Sequence, residues 1–143
     1  MENIIVPVNY LAIFIAAVGS MVIGYLWYGP LFGKMWMKEM GISKEKMTKA
    51  MKKNMATYGL MFVGSLVMAL VLARATVFAS AYLRVNGLSA GLMSGFWNWL
   101  GFVAPVTLGS LLWEGKSIKL WILNNGYYLV TLLVMGAIIA VWA

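Results

Sequence analysis

The chain has 143 residues, of which 63% are hydrophobic and only 10% are charged, and its formal net charge is +7. It has no Cys and no His, and its four acidic residues are all Glu. These absences exclude zinc sites built from His or Cys, Ser-His-Asp triads, haem held by His, and thiol chemistry. We therefore expect a protein that is not an enzyme and carries neither a metal nor another cofactor.

Four uncharged, mostly apolar stretches make up most of the chain: residues 3–33, 54–73, 85–113 and 120–143. A membrane-spanning helix needs roughly 20 such residues. The predicted fold class is all-α, a single integral membrane domain at residues 1–143 that forms a four-transmembrane-helix bundle. The spans are expected near residues 9–28, 55–78, 88–113 and 120–141. The N-terminus lacks the basic region of a secretory signal peptide, so the first span is expected to be retained.

Gly and Pro indicate where helices stop or bend. The pair Gly29-Pro30 predicts that the first helix ends at Tyr28, because Pro cannot continue the hydrogen-bond ladder. Pro105 lies inside the third span and predicts a kink near residues 101–105. Arg74 lies at the end of the second apolar stretch. We favour a helix that continues past it with the guanidinium reaching outward, over a helix that ends there.

The connection between the first two spans contains seven of the nine Lys. Ser43 is a suitable N-cap for a helix that leads into the second span. This basic, partly helical connection places Met47 and Met51 on one face. The lysines are mostly elsewhere, which is the pattern of a helix lying on a lipid surface. The expected lipid-facing basic residues are Lys44, Lys46, Lys49, Lys52 and Lys53. Without Cys or His, we interpret the methionines as apolar filler and not as copper ligands.

Charge also predicts orientation. With four spans, one side of the membrane carries all nine Lys and the other carries Arg74 and Arg84. The positive-inside rule then predicts a cytoplasmic Lys-rich side and both termini outside. We interpret the net charge as topology and attraction to anionic lipid, and expect no nucleic-acid partner.

Small residues recur every fourth position in the spans, a spacing that lets helix backbones approach closely. The predicted helix-packing residues are Ala16, Ser20, Gly24, Gly87, Gly91 and Gly95. We expect some of these rows to form helix contacts within the four-helix bundle. At least one row is expected to form contacts between copies in a homo-oligomer.

Polar residues within or beside the third and fourth spans are the candidates for a functional site: Asn98, Thr107, Ser110, Glu114, Asn124 and Asn125. Two interpretations remain open for them. They are either interhelical hydrogen-bonding groups or the lining of a solute path. We expect the three Asn side chains to face the protein interior, because an unpaired amide in hydrocarbon is unfavourable. Glu114 sits at a helix end beside Gly115 and Lys116, which favours an interfacial turn residue paired with Lys116 or Lys119 over a proton-coupling carboxylate.

Two segments resemble each other: residues 26–29 with Lys34 and Trp36, and residues 112–115 with Lys116 and Trp121. They indicate either a duplicated helical hairpin or a chance similarity of interface residues.

Four sequence blocks resemble a known family: LWYGPLFGK with Trp36 at residues 26–36, LGFVAP at 100–105, EGK at 114–116 and NGY at 125–127. In this order they are similar to the bacterial membrane family catalogued as domain of unknown function 1761. The resemblance implies a four-helix protein of the bacterial inner membrane and supplies no substrate or catalytic residue.

The residue patterns leave two hypotheses for the function. One is a homo-oligomeric transport or channel component for a small solute or ion. The other is a membrane scaffold or accessory subunit that binds partner helices and anionic lipid.

Overall fold

The computed structural model describes residues 7–53 and 55–142, and this part of the chain is helical without any strand. Two π-helical turns, Trp27–Leu31 and Trp99–Val103, interrupt the α-helices. The α-helices are α1 (Tyr10–Leu26), α2 (Gly33–Met40), α3 (Lys44–Lys53), α4 (Met55–Leu83), α5 (Leu88–Asn98), α6 (Ala104–Leu112) and α7 (Ile118–Val141).

Within the described residues, three helical segments are long and apolar enough to cross a membrane: Tyr10–Leu31, Met55–Leu83 and Ile118–Val141. Their mean hydropathies are 1.9, 2.1 and 1.6. The expected third span, residues 88–113, is not one continuous α-helix. It consists of α5, the second π-helical turn and α6, and none of these pieces reaches spanning length by itself.

The long elements alternate in direction along the chain. Where α1 begins, the Asn9 side-chain amide donates a hydrogen bond of 2.8 Å to the carbonyl of Trp142, which follows α7. At the opposite end, the Ser117 hydroxyl before α7 donates to the Glu39 carboxylate in α2 at 2.6 Å. The described chain therefore starts and finishes at one end of the bundle, and both Lys-bearing connections lie at the other.

The bundle core is made of small and medium-sized side chains, namely Ile13, Ala16, Ala69, Leu72, Ala73, Leu132, Met135 and Ile139. Large apolar side chains point outward instead; Leu60 and Val106, for example, are 73% and 74% exposed. This arrangement suits a protein in lipid, where outward-facing apolar groups are solvated and close packing of small residues holds helices together.

The first helix does not stop at Tyr28 as predicted. It passes through Gly29 and Pro30 in the first π-helical turn, and the Phe32 N–H bonds to the Trp27 carbonyl five residues back at 2.9 Å. The wider π turn accommodates the Pro ring and its missing N–H, so the pair changes the helix type without ending the helix. The chain breaks at Phe32, whose φ and ψ are −126° and 11°.

The predicted disturbance near Pro105 takes the same form. The second π-helical turn occupies residues 99–103, and Pro105 lies in the first turn of α6. Backbone N–H groups in the first turn of a helix have no acceptor within that helix, so the missing N–H of Pro removes no hydrogen bond there.

Two local expectations for the first half of the chain are confirmed. Ser43 caps α3 through a hydrogen bond from the Lys46 N–H at 3.2 Å. The helix α4 continues past the exposed Arg74 to Leu83. Asn54, between α3 and α4, and the side chain of Lys53 lie outside the described residues.

The tightest helix contact joins α5 to α7. Gly91 lies directly against the backbone of Gly136, so a Cβ on either residue would collide with the other's carbonyl group. One turn further along, a Cβ on Gly95 would lie 2.5 Å from the carbonyl oxygen of Leu132. The two backbones therefore touch along an antiparallel seam that only glycine permits.

Gly87 does not belong to this seam, which corrects the packing role predicted for it. It precedes α5 with φ +63° and ψ −141°, and a Cβ there would meet nothing within 4 Å. The position needs Gly for its backbone conformation.

The other predicted packing residues are on α1. Ala16 and Ser20 are buried, and the Ser20 hydroxyl lies 2.9 Å from that of Ser65 on α4. Gly24 faces α7, where a Cβ would lie 3.1 Å from the hydroxyl oxygen of Tyr127.

Candidate polar pocket between α6 and α7

A cavity of about 270 Å³ lies between α6 and the first turns of α7, at the end of the bundle that carries the Lys-rich connections. Nine residues line this α6–α7 pocket: Val106, Thr107, Gly109, Ser110, Glu114, Trp121, Asn124, Asn125 and Tyr128. Five of the six polar candidates identified from the sequence are among them.

The inner wall of the pocket is fixed by Asn125, which is 2% exposed. Its amide nitrogen donates to the Thr107 hydroxyl at 2.9 Å and to the Trp121 carbonyl at 3.1 Å. Because the Thr107 hydroxyl accepts this bond, its own hydrogen is free for the Val103 carbonyl, 2.9 Å away. Asn125 and Thr107 thus join α6 to α7 with their donors satisfied inside the protein.

Two tryptophans hold the π-helical turns against the start of α7. The Trp27 indole N–H donates to the Leu123 carbonyl at 3.0 Å, and the Trp99 indole N–H donates to the Asn125 carbonyl at 3.0 Å. Both residues open a π-helical turn, and each is followed two positions later by Gly. Since a π turn adds a residue to the helical path, it changes the direction in which the next helix presents its side chains.

These contacts revise the apparent duplication. Trp113, which the sequence comparison aligned with Trp27, is 88% exposed in the turn after α6. The structural counterpart of Trp27 is Trp99, in the middle of the third apolar stretch.

Tyrosines extend the polar site toward α1. The Tyr28 hydroxyl donates to the Asn124 side-chain oxygen at 2.7 Å. The ring of Tyr28 packs edge-on against Tyr127, with 5.2 Å between centroids, and Tyr127 contacts Tyr128 at 5.5 Å. No site role was expected for Trp27, Tyr28 or Trp99 from the sequence. The signal that identifies the tryptophans is the Trp-x-Gly spacing ahead of a Pro in both broken helices.

Ser110 and Glu114 occupy the open side of the pocket. The Ser110 hydroxyl donates to the Thr107 carbonyl at 2.8 Å, one turn back in α6. Glu114 is exposed in the turn that follows α6, next to Gly115 with φ +67°. The carboxylate therefore lies at the mouth of the pocket and not in the apolar layer.

Asn98 does not reach the pocket. It is half-buried on α5, and its amide donates to the Ser94 carbonyl of the same helix at 2.8 Å. This bond satisfies one amide donor within α5, so Asn98 does not link two helices as Asn125 does.

A second, larger cavity of about 580 Å³ opens at the other end of the bundle, where Asn9 meets Trp142. Its walls include Ala73, Thr76, Ala90 and Ile139. Along α7, the buried core residues Leu132 and Met135 lie between the residues that line the two cavities.

The basic side chains of Lys44, Lys46, Lys49 and Lys52 are exposed on α3. Within residues 7–53 and 55–142, no group of three or more acidic, His or Cys side chains is arranged to hold a metal ion.

Comparison with known protein families gives a match. No curated protein and no solved structure matches the chain. The family model described as "Protein of unknown function (DUF1761)" matches residues 11–140, which is nearly the whole sequence and includes all four blocks that carried the resemblance. The chain therefore belongs to the DUF1761 family of proteins of unknown function.

Proposed function

We propose that this protein is a subunit of a homo-oligomeric membrane transport or channel component, and that it admits a small polar solute into the α6–α7 pocket. The observation that carries the proposal is the convergence of Thr107, Ser110, Glu114, Asn124 and Asn125 on one cavity. Polar groups concentrated in one cavity of an otherwise apolar bundle are typical of a solute or ion site in a membrane protein.

The antiparallel arrangement supports four membrane crossings. Asn9 and Trp142 meet at one end of the bundle, so the chain returns to the side from which α1 starts. The three long segments alone would leave these two residues on opposite sides. The stretch from α5 to α6 supplies the missing crossing, since it runs along α7 from the Gly91–Gly136 contact to the Thr107–Asn125 hydrogen bond.

The closed core supports assembly of several copies. Buried side chains such as Leu132 and Met135 separate the two cavities within one chain. A solute that enters the α6–α7 pocket therefore needs a route formed between copies, and cyclic homo-oligomers provide one.

We place the protein in a bacterial inner membrane with both termini outside. The nine lysines at the pocket end support a cytoplasmic pocket mouth by the positive-inside rule. A reporter fused after residue 143 should be active outside the cytoplasm, and cytoplasmic activity would reverse the assignment. The exposed lysines of α3 are proposed to contact anionic lipid at that surface.

The alternative is a membrane scaffold or accessory subunit. The hydrogen bonds of Thr107 and Asn125 favour it, because both side chains find partners within the protein without a bound solute. In that case the pocket is a dry gap between helices, and the lysines of α3 bind lipid or a partner.

Water access to the pocket separates the two functions. Because the chain has no Cys, Ser110→Cys in membrane vesicles gives a single reactive thiol at the pocket. We expect a membrane-impermeant sulfonated maleimide to label it from the Lys-rich side only. Ala69→Cys, at a position that is 0% exposed in the core, is the protected control. Protection of position 110 equal to that of position 69 would refute solute entry and favour the scaffold.

A further inference from the structure

We infer that the ligand of the α6–α7 pocket is a small organic ammonium ion, with Glu114 as its counter-ion and Trp121 and Tyr128 as its aromatic walls. The inference rests on the proposed function and adds the chemical class of the solute.

Charge is the first argument. Glu114 is the one charged side chain among the residues that line the pocket, although the chain as a whole carries +7. The other polar groups there are hydroxyls and amides, which present oxygen acceptors without positive charge. No basic side chain lines the pocket, although lysines lie at the same end of the bundle and Glu114 is exposed at the mouth, so the lining itself favours a cation over an anion.

The aromatic walls are the second argument. Trp121 and Tyr128 are both half-buried and line the same cavity as the carboxylate. The faces of aromatic rings attract ammonium groups, and recognition of quaternary ammonium ligands commonly combines such faces. Val106 also lines this cavity, although its side chain is 74% exposed.

The donor set argues against Ca²⁺ as the ligand. One carboxylate and a few neutral oxygens fall short of the six to eight oxygen ligands that Ca²⁺ takes. The oxygen of Asn124 is already bonded to Tyr28. The volume of about 270 Å³ lies just below the range of roughly 300–1,000 Å³ for drug-sized ligands. An ion of about the size of choline fits it.

The test compares choline with 3,3-dimethyl-1-butanol, which has the same shape but no charge. Both are titrated by calorimetry into the full chain in lipid nanodiscs. We expect saturable binding of choline at least tenfold tighter than that of the neutral analogue. Glu114→Gln should weaken choline binding about tenfold, and Tyr128→Leu should weaken it as well. Glu45→Gln, which removes an exposed carboxylate from α3, is the matched control and should change nothing.

The outcomes separate this inference from the proposed function. Equal binding of the two probes, or no choline binding while Ser110→Cys is labelled, overturns the cation and leaves a solute pocket standing. A preference for choline that survives Glu114→Gln unchanged overturns Glu114 as the counter-ion. Protection of Ser110→Cys from the maleimide overturns the proposed function, and the ammonium site fails with it.

Discussion

Glycine at the α5–α7 seam shows what a residue spacing can and cannot predict. Gly87, Gly91 and Gly95 share one four-residue spacing, yet only the last two lie at the helix contact. The spacing predicts a common face only within a helix, and α5 begins after Gly87. A glycine needed for positive φ and one needed for close approach are the same letter in a sequence.

The first prediction concerns Gly91. Gly91→Ala should destabilise the protein by roughly 1–3 kcal/mol, because the new methyl group meets the Gly136 carbonyl and must push two backbones apart. Gly64→Ala on α4 is the control, since a Cβ there meets nothing within 4 Å and Ala favours helix. Thermal unfolding in detergent measures both. Equal melting temperatures for the two variants would contradict the seam.

The second prediction concerns the hydrogen bond between Thr107 and Asn125. A double-mutant cycle with Thr107→Val and Asn125→Leu should give a coupling energy of about 0.6 kcal/mol and no more than about 1.7, the range measured for buried bonds between membrane helices. The cycle is measured by unfolding in mixed micelles. The same cycle with Ser110→Ala in place of Thr107→Val should give none, as Ser110 bonds to its own helix. Additive single effects of Thr107→Val and Asn125→Leu would exclude the interhelical bond.

Among the elements, the π-helical turns were the least predictable from sequence. Pro30 and Pro105 both signalled a disturbance, and both disturbances exist. Their form could not be inferred, because a missing N–H is compatible with a stop, a kink or a π turn, and packing decides between them. Here the indoles of Trp27 and Trp99 hold the widened turns against α7. The long apolar spans and the cap at Ser43 followed from local signals and were predictable.

The third prediction therefore tests an indole. Trp99→Phe keeps the aromatic ring but removes the N–H that bonds to the Asn125 carbonyl, and it should destabilise the protein by about 0.5–1.5 kcal/mol. It should also raise maleimide labelling at Ser110→Cys by loosening the pocket wall. Trp97→Phe, at a side chain that is 58% exposed, is the matched control and should alter neither measurement. Identical behaviour of the two variants would show that the indole bond does not fasten the turn.

For the whole molecule, charge and hydropathy predicted the membrane class and the Lys-rich end. They did not predict that five polar residues converge on one pocket. That convergence depends on the rotation of α6 against α7, which the second π-helical turn sets and no periodicity encodes.

The fourth prediction tests whether Asn9 and Trp142 lie at the same end of the bundle. A short bismaleimide should cross-link Asn9→Cys to Trp142→Cys in intact membranes, because the two residues are hydrogen-bonded. After trypsin cleavage in the Lys-rich connection, the fragments should stay joined on a denaturing gel. The control pair is Asn9→Cys with Ser117→Cys, whose positions lie at opposite ends of the bundle. The fragments of this control should separate on the gel. If the fragments of the first pair separate as well, Asn9 and Trp142 do not lie at the same end of the bundle.

The position of α7 in the bundle has a consequence for the order of events during synthesis. This helix contacts α1, α2, α4, α5 and α6, yet it follows all of them along the chain. A ribosome delivers the earlier helices to the bilayer while the Gly91 surface and the indoles of Trp27 and Trp99 still lack their partner. The contacts of α7 therefore form only after this helix has been translated, although α4 already packs on α1 and α5, and a chain interrupted before Ile118 leaves the Gly91 surface bare to lipid and to quality control.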